Sequence, residues 1–189
     1  MDKRRSELRE MSICQMREMV NPKHEREARG QRAILKSYST LYFSIGIVEL
    51  KLRNAIPAAL SISTKKYQQG DWFENLPLTP KGEIALHKAL QHSFRRRTPG
   101  SKQFPEDFLP LSFWRYLIRT STYTELWIPS LRHAFPNLRN AKEFSTFKDL
   151  ESDFHTLLKA RNRIAHYEIN SSQELSLAKE CIEKFQSYL

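Results

Sequence analysis

Apolar residues recur at steps of three and four along the stretch from about His24 to Tyr67. This spacing places them on one face of an α-helix, whereas a half-buried strand would alternate at every residue. Pro57 lies inside the stretch and is expected to kink or divide the helix, because proline removes a backbone hydrogen bond. The chain is therefore expected to fold around a long amphipathic helix. The residues of its apolar face are Ile34, Leu35, Tyr38, Leu41, Tyr42, Ile45, Val48 and Leu52.

The other segments show helical patterns separated by short loops, and no segment has a convincing strand pattern. Asn21-Pro22 ends the first helix, because the residue before a proline disfavours the helical backbone. We predict an all-α fold with a single helical domain over residues 1–189. The predicted helices are Lys3–Val20, His24–Tyr67, Lys81–Phe94, Leu111–Arg119, Thr122–Ala134 interrupted by Pro129, Lys142–Tyr167, and a last helix capped by Ser171 or Ser172 and ending near Tyr188.

Two loops and a set of core residues complete the predicted layout. Gly70–Pro80 is rich in helix-breaking residues, with Trp72 and Phe73 expected to fold back onto the core. Arg95–Lys102 is a basic loop. Trp114 and Trp127 are expected in the core. The predicted buried stripe of the Lys142–Tyr167 helix is Phe144, Phe147, Phe154, Leu157, Leu158 and Ile164.

The charge balance points to a polyanionic partner. The chain has 31 Lys+Arg against 21 Asp+Glu, a formal net charge of +10, which favours nucleic acid over an anionic membrane surface. The N-terminus is charged, and the longest apolar stretch, Leu41–Leu60, is interrupted by charges and a proline. We therefore expect a soluble cytoplasmic protein without a membrane span. Cys14 and Cys181 are expected to be ordinary free thiols.

The most informative segment is Arg161-Asn162-Arg163-Ile164-Ala165-His166-Tyr167-Glu168, near the end of a predicted helix. Arginine binds phosphate through a planar fork of donors, and histidine exchanges protons near neutral pH. Cleavage of RNA by its own 2′-hydroxyl requires a proton acceptor, a proton donor and stabilisation of the charged phosphorane. His166 is the candidate acid–base group, and Arg161 is the candidate phosphate-binding group.

The spacing within this segment constrains how the candidate groups can cooperate. Asn162 and His166 are four residues apart and share a helix face, so the amide is expected to orient the imidazole. Arg161 and His166 are five apart, which separates them by about 140° around the helix at about 100° per residue. Either the length of the arginine covers this offset, or two copies of the helix share one site. A two-fold dimer would also supply two histidines for the two proton transfers.

The segment resembles the RxxxxH signature, more narrowly RNxxxH, of the HEPN superfamily of helical domains, most of which are ribonucleases. Over about residues 30–170, the order of further motifs resembles the Abi-like (abortive-infection) proteins, with residues 1–29 as an N-terminal helical extension. These motifs are Leu50–Ile56, Trp72, Leu111–Trp114, Leu126–Pro136 and Arg161–Glu168.

This resemblance implies a helical bundle, a homodimer formed through the motif helix, and metal-independent RNA cleavage in anti-phage or toxin systems. It implies Arg161 and His166 as the catalytic pair and Asn162 as their polar companion, with no cofactor and no metal. The partners are RNA, with tRNA as one candidate, and a phage or antitoxin protein as regulator. The family often continues with His-His-Glu-Pro, whereas Tyr167 follows His166 here, so a second adjacent histidine is absent.

Other basic and aromatic residues are candidates for RNA contacts. Arg163 and Tyr167 adjoin the catalytic candidates, and the loop residues Arg95, Arg96, Arg97 and Lys102 either contact RNA phosphates or are solvated. The other histidines do not have metal-ligand spacing. His155 is eleven residues before His166, on a similar helix face, and could line an extended RNA groove. Two alternatives remain: a non-catalytic RNA-binding module, and a sensor of infection that binds a phage protein.

Overall fold

The computed structural model describes residues 22–63, 71–95, 104–169 and 171–189. These residues are helices, short turns and loops without any strand, so the prediction of an all-α fold is confirmed for them. The predicted helix Lys3–Val20 lies outside the described residues. The five α-helices are α1 (Pro22–Ser63), α2 (Pro80–Arg95), α3 (Leu111–Leu117), α4 (Phe144–Ala165) and α5 (Ser172–Tyr188).

The chain divides into two compact units, residues 1–40 and 41–189. In the first unit the described residues are helical, and hydroxyl side chains bond to carbonyl groups of the preceding turn, as Ser37 does to Ala33 at 3.0 Å. The core and the candidate site described below both belong to the second unit.

Pro57 was expected to kink or divide the helix, and it does not divide it, because α1 continues through this position. Pro57 has no N–H to donate to the carbonyl of Arg53, and this loss destabilises the helix locally. Leu52, Ile56 and Leu60 lie on either side of the proline and are fully buried. Their burial stabilises the helix and offsets the lost hydrogen bond. Arg53 and Glu49, one turn apart on α1, form an ion pair with 3.4 Å between Nη2 and Oε1.

Aromatic side chains form much of the core of the second unit. Trp72 is buried and stacks on Trp114 with 6.0 Å between ring centroids, which confirms that the first loop folds back. Trp127 is also fully buried, and its indole N–H donates to the carbonyl of Ala141 at 2.7 Å. The fully buried large side chains of the described residues include Trp114, Trp127, Phe113, Phe135, Phe147, Phe154, Phe185, Leu52, Ile56, Leu60, Leu109 and Leu111.

The predicted helix Thr122–Ala134 is not an α-helix. The chain forms a 3-10 turn over Thr120–Thr122, a single π turn over Tyr123–Trp127 and a second 3-10 turn over Leu131–Ala134. The Thr122 hydroxyl donates to the carbonyl of Leu117 at 2.8 Å, which competes with regular helical bonding. Pro129 then removes a donor from the middle of the segment.

Helix α4 packs against α5 through a row of contacts that fixes its orientation. Phe154 stacks on Phe185 with ring centroids 5.0 Å apart, and Lys184 pairs with Asp153 at 2.9 Å. The Tyr188 hydroxyl donates to Asp153 at 2.7 Å, and burial together with this carboxylate raises the pKa of Tyr188 to about 12. Ser171 caps α5 as predicted, accepting a bond from the Glu174 amide at 3.2 Å.

The buried stripe of α4 differs from the prediction at two positions. Phe144 is 48% exposed, because it begins the helix outside the core and packs its ring against Tyr123. Leu158 is only half-buried, because it lines a cleft. The buried residues of α4 are Phe147, Leu150, Phe154, Leu157 and Ile164.

Candidate active site

Helix α4 ends inside the RNxxxH motif. His166 is the last residue with near-helical backbone, and its amide bonds to the Asn162 carbonyl at 3.0 Å. The Glu168 amide then bonds to the Arg163 carbonyl at 2.8 Å, and the Tyr167 amide to the Ile164 carbonyl at 3.2 Å. This pair of bonds defines a Schellman motif, the common way in which a helix C-terminus is closed.

The residue that closes this motif is a tyrosine in the left-handed region. Tyr167 has φ of 57°, a conformation that glycine or asparagine usually supplies at this position. The motif is anchored on both sides, because Ile164 and Ile169 are buried. His166 is thereby held on the surface at the end of α4, where its side chain is exposed.

Arg161 and Asn162 contact each other directly. The guanidinium Nη1 of Arg161 donates to the side-chain oxygen of Asn162 at 3.3 Å. The expectation that the Asn162 amide orients the imidazole is not met, because Asn162 is linked to His166 through its backbone carbonyl. Among the described residues, the His166 ring makes no hydrogen bond.

Arg161 and Asn162 line a cleft between α4 and the beginning of α3, with a cavity volume of about 330 Å³. Arg115 reaches it from α3, and Lys159 from α4, one turn after His155. Three cationic side chains therefore line one small cavity. The lining residues are Pro110, Leu111, Ser112, Arg115, His155, Leu158, Lys159, Arg161 and Asn162.

His155 is half-buried at the side of this cleft. Its Nδ1 atom is shielded from water and has no hydrogen-bond partner in the described part of the chain. Burial lowers the pKa of the imidazole below its usual value, and the positive charges of Arg115 and Lys159 lower the pKa further. In the absence of a ligand the imidazole is therefore neutral at pH 7.

The cleft brings Arg161 and Asn162 together with His155, and His166 is not among its lining residues. Eleven residues separate the two histidines on α4, which corresponds to about 16 Å along the helix axis at about 1.5 Å per residue. Local spacing can reveal Lys159, which lies four residues after His155. Arg115 belongs to another helix, and no short-range pattern in the sequence signals its approach.

Arg163 has intramolecular partners. Its guanidinium pairs with Glu174 of α5 at 2.9 Å and donates to the Glu168 carbonyl at 3.1 Å. It therefore ties the end of α4 to α5. Its neighbour Tyr167 is 67% exposed.

The predicted basic loop is described only at its first residue. Arg95 is exposed and ends α2. Arg96, Arg97 and Lys102 lie outside the described residues, so their contact with RNA stays a prediction. Within the described ranges, no three side chains of the types His, Cys, Asp and Glu come together as metal ligands. No helix built from those residues combines the length and apolarity of a bilayer span.

Comparison of the chain with protein-family models, with curated proteins and with solved structures found no match. The resemblance to the HEPN superfamily therefore depends on the ordered motifs themselves.

Proposed function

We propose that this protein is a HEPN-type endoribonuclease that cleaves RNA by attack of the 2′-hydroxyl group without a metal. The observation that supports the proposal concerns the cleft on α4. Arg161 and Asn162 of the RNxxxH motif line it together with two further cations, Arg115 and Lys159. Guanidinium and ammonium groups in a confined cavity bind phosphate oxygens. The motif helix thus joins a phosphate-binding surface to an exposed histidine.

Each candidate residue has a distinct role in the proposed reaction. Arg161 binds the scissile phosphate and stabilises the extra negative charge of the phosphorane. Asn162 holds the Arg161 guanidinium by their hydrogen bond. His166 accepts the proton of the 2′-hydroxyl or donates one to the leaving 5′-oxygen. The products carry 2′,3′-cyclic phosphate and 5′-hydroxyl ends, because the attacking oxygen remains on the phosphorus.

We propose that the active unit is a two-fold dimer formed through α4. Arg161 lines the cleft and His166 lies outside it at the helix end, so a second copy of α4 would bring the partner's histidine to the arginine. RNA is the substrate, with tRNA as one candidate.

A mixture of inactive variants tests the shared site. Arg161→Ala and His166→Ala are purified separately, then mixed under conditions that allow subunits to exchange. A site built from both chains regains about a quarter of the parental activity, because half the dimers are mixed and each has one intact site. No recovery, with mixed dimers confirmed by mass, contradicts the shared site.

The biological setting follows from the resemblance to Abi-like proteins. We propose a cytoplasmic enzyme that acts in abortive infection or as a toxin, restrained or triggered by a phage or antitoxin protein. Exposure of cells to phage should then reveal RNA fragments that depend on Arg161 and His166. Cells that carry the double variant serve as the control.

A second candidate function is that of a non-catalytic RNA-binding module. It is favoured by the position of His166, which is exposed and outside the cationic cleft. Salt-sensitive RNA binding that persists in His166→Ala, with no cleavage by the parent, would support this function. Cleavage that His166→Ala abolishes would exclude it.

A further inference from the structure

The cleft contains three cations that have no carboxylate partner. Neither Arg115, Lys159 nor Arg161 forms an ion pair within the described part of the chain, and the cleft lining includes no Asp or Glu. Five other described cations do have such partners. These pairs are Arg53–Glu49, Lys148–Glu151, Arg163–Glu174, Lys179–Glu183 and Lys184–Asp153.

We propose that Arg115, His155 and Lys159 form a phosphate subsite that binds a backbone phosphate of single-stranded RNA, separate from the scissile phosphate at Arg161. The proposal rests on the proposed function for the identity of the ligand. It adds a binding site at the end of the cleft away from His166. Arg115 and Lys159 supply fixed positive charge, and His155 supplies an N–H donor.

Two helices converge to build this subsite. Arg115 approaches from α3 and Lys159 from α4, and the charges of both act on the imidazole of His155. The shielded Nδ1 of His155 has no partner in the described structure, so the ring is fixed by packing and not by a hydrogen bond. A phosphate would place negative charge between two cations that otherwise repel each other.

The size and lining of the cleft suit one nucleotide. Its volume of about 330 Å³ lies at the lower end of the range of about 300–1,000 Å³ for ligand pockets. Pro110, Leu111 and Leu158 provide apolar surface for a sugar or base, and the Ser112 hydroxyl is available for a hydrogen bond. A rigid duplex would not enter such a cavity, whereas a nucleotide of a single strand would.

A strand is favoured over a free nucleotide because the cations continue along α4. Arg161 lies six residues after His155, about 9 Å along the helix at about 1.5 Å per residue, and His166 lies a further turn on. A strand that enters at His155 would thus run along α4 to Arg161, where the scissile phosphate is held in the proposed reaction. By binding one backbone phosphate, the subsite would determine which phosphodiester lies at Arg161. It would therefore determine where the strand is cut.

Salt-dependent binding in a non-cleaving background tests the proposal. The full chain with His166→Ala is compared with the same chain that also has Arg115→Gln/Lys159→Gln, using a fluorescent single-stranded RNA. Loss of the one phosphate that the two cations bind should reduce the slope of log affinity against log salt by about 0.7, the value per neutralised phosphate for single strands. Arg139→Gln/Lys179→Gln is the matched control, since both side chains are exposed and the charge change is equal.

An unchanged slope in Arg115→Gln/Lys159→Gln, or an equal fall in the control, overturns the proposal. Lys159→Gln alone provides a variant at an exposed position of α4, and its slope should fall in the same direction by less than about 0.7 because Arg115 remains. If the double variant does not fold, this single variant decides the test. Because His166 is already removed, the result is independent of whether the parent cleaves RNA.

NMR titrations that follow the ring nitrogens of His155 identify the class of ligand that the cleft binds. A single-stranded oligonucleotide should shift them at a lower concentration than uridine monophosphate or inorganic phosphate. Equal potency of the three ligands would assign the cleft to small phosphorylated molecules and overturn the assignment to an RNA strand. Resonances that do not respond to any of them would exclude His155 from the site.

Discussion

The guanidinium of Arg161 donates a hydrogen bond to the side-chain oxygen of Asn162, its immediate neighbour, at 3.3 Å, and both side chains line the same cleft. Asn162 therefore orients the guanidinium that we propose binds phosphate. This relationship accounts for an arginine and an asparagine side by side, because the amide oxygen limits the positions that a long guanidinium can adopt.

Substitutions at Asn162 should affect cleavage through Arg161. We expect Asn162→Ala to lower kcat/KM about tenfold, since one hydrogen bond to a charged group contributes about 1.5 kcal/mol. Arg161→Ala should lower it at least about 100-fold, because it removes a donor to the developing charge. Asn162→Asp should raise KM, because it places negative charge in the cleft. Single-turnover kinetics measure these effects, and equal losses in Asn162→Ala and Arg161→Ala would contradict the assigned roles.

The ionisation of His155 should be coupled to phosphate binding. Burial, followed by the charges of Arg115 and Lys159, holds its pKa below 6.5, so it is neutral in the free protein at pH 7. A bound phosphate favours the protonated ring and raises this pKa. RNA affinity should therefore increase as the pH falls from the pKa of the bound imidazole towards the pKa of the free imidazole.

Titration of the His155 resonances with and without a non-cleavable RNA measures both pKa values. Lys159→Gln should raise the pKa of the free protein, because it removes a neighbouring positive charge. A free-state pKa at or above 6.5, or one that RNA leaves unchanged, would contradict the coupling.

The left-handed conformation of Tyr167 leads to an unusual prediction for stability. A side chain at φ of 57° destabilises the backbone by roughly 1–2 kcal/mol relative to glycine. Tyr167→Gly should therefore be more stable than Tyr167→Ala by about 1 kcal/mol, the reverse of the usual order within a helix. Urea unfolding of the two variants gives the comparison, and a more stable alanine variant would show that the residue does not adopt this conformation.

The cap of α5 offers a second test of local structure. Ser171 accepts a hydrogen bond from the Glu174 amide at 3.2 Å, so Ser171→Ala should lower the free energy of unfolding by about 1 kcal/mol. Ser171→Gly should lower it by only a few tenths of that amount. The neighbouring substitution Ser172→Ala, outside the cap position, is the control. Equal losses in Ser171→Ala and Ser172→Ala would argue against the cap.

Periodicity predicted the elements that depend on local rules. Helix α4 lies within two residues of its predicted bounds, and the Ser171 cap and the buried position of Trp72 were both anticipated. These features follow from apolar spacing, capping chemistry and burial of large aromatic rings. The prediction of an α-helix from Thr122 to Ala134 was wrong, because hydroxyl side chains and Pro129 override the helical pattern there.

The cleft could not be derived from the sequence, because it is built by two helices distant along the chain. Arg115 and His155 are forty positions apart, and their proximity depends on how α3 packs on α4. The left-handed closure that follows α4 was equally hidden, since Tyr167 occupies a position that glycine usually marks. Sequence reasoning therefore found the motif but not its surroundings.

The most direct test of the proposed ribonuclease is the chemistry of its products. A 5′-labelled tRNA is incubated in EDTA with the parent, with Arg161→Ala/His166→Ala, and with Arg139→Ala/Lys179→Ala as a charge control. We predict discrete fragments that end in 2′,3′-cyclic phosphate from the parent and the charge control, and none from the motif variant. Fragments of equal yield from all three proteins, or fragments that end in a 3′-hydroxyl, would contradict cleavage by Arg161 and His166.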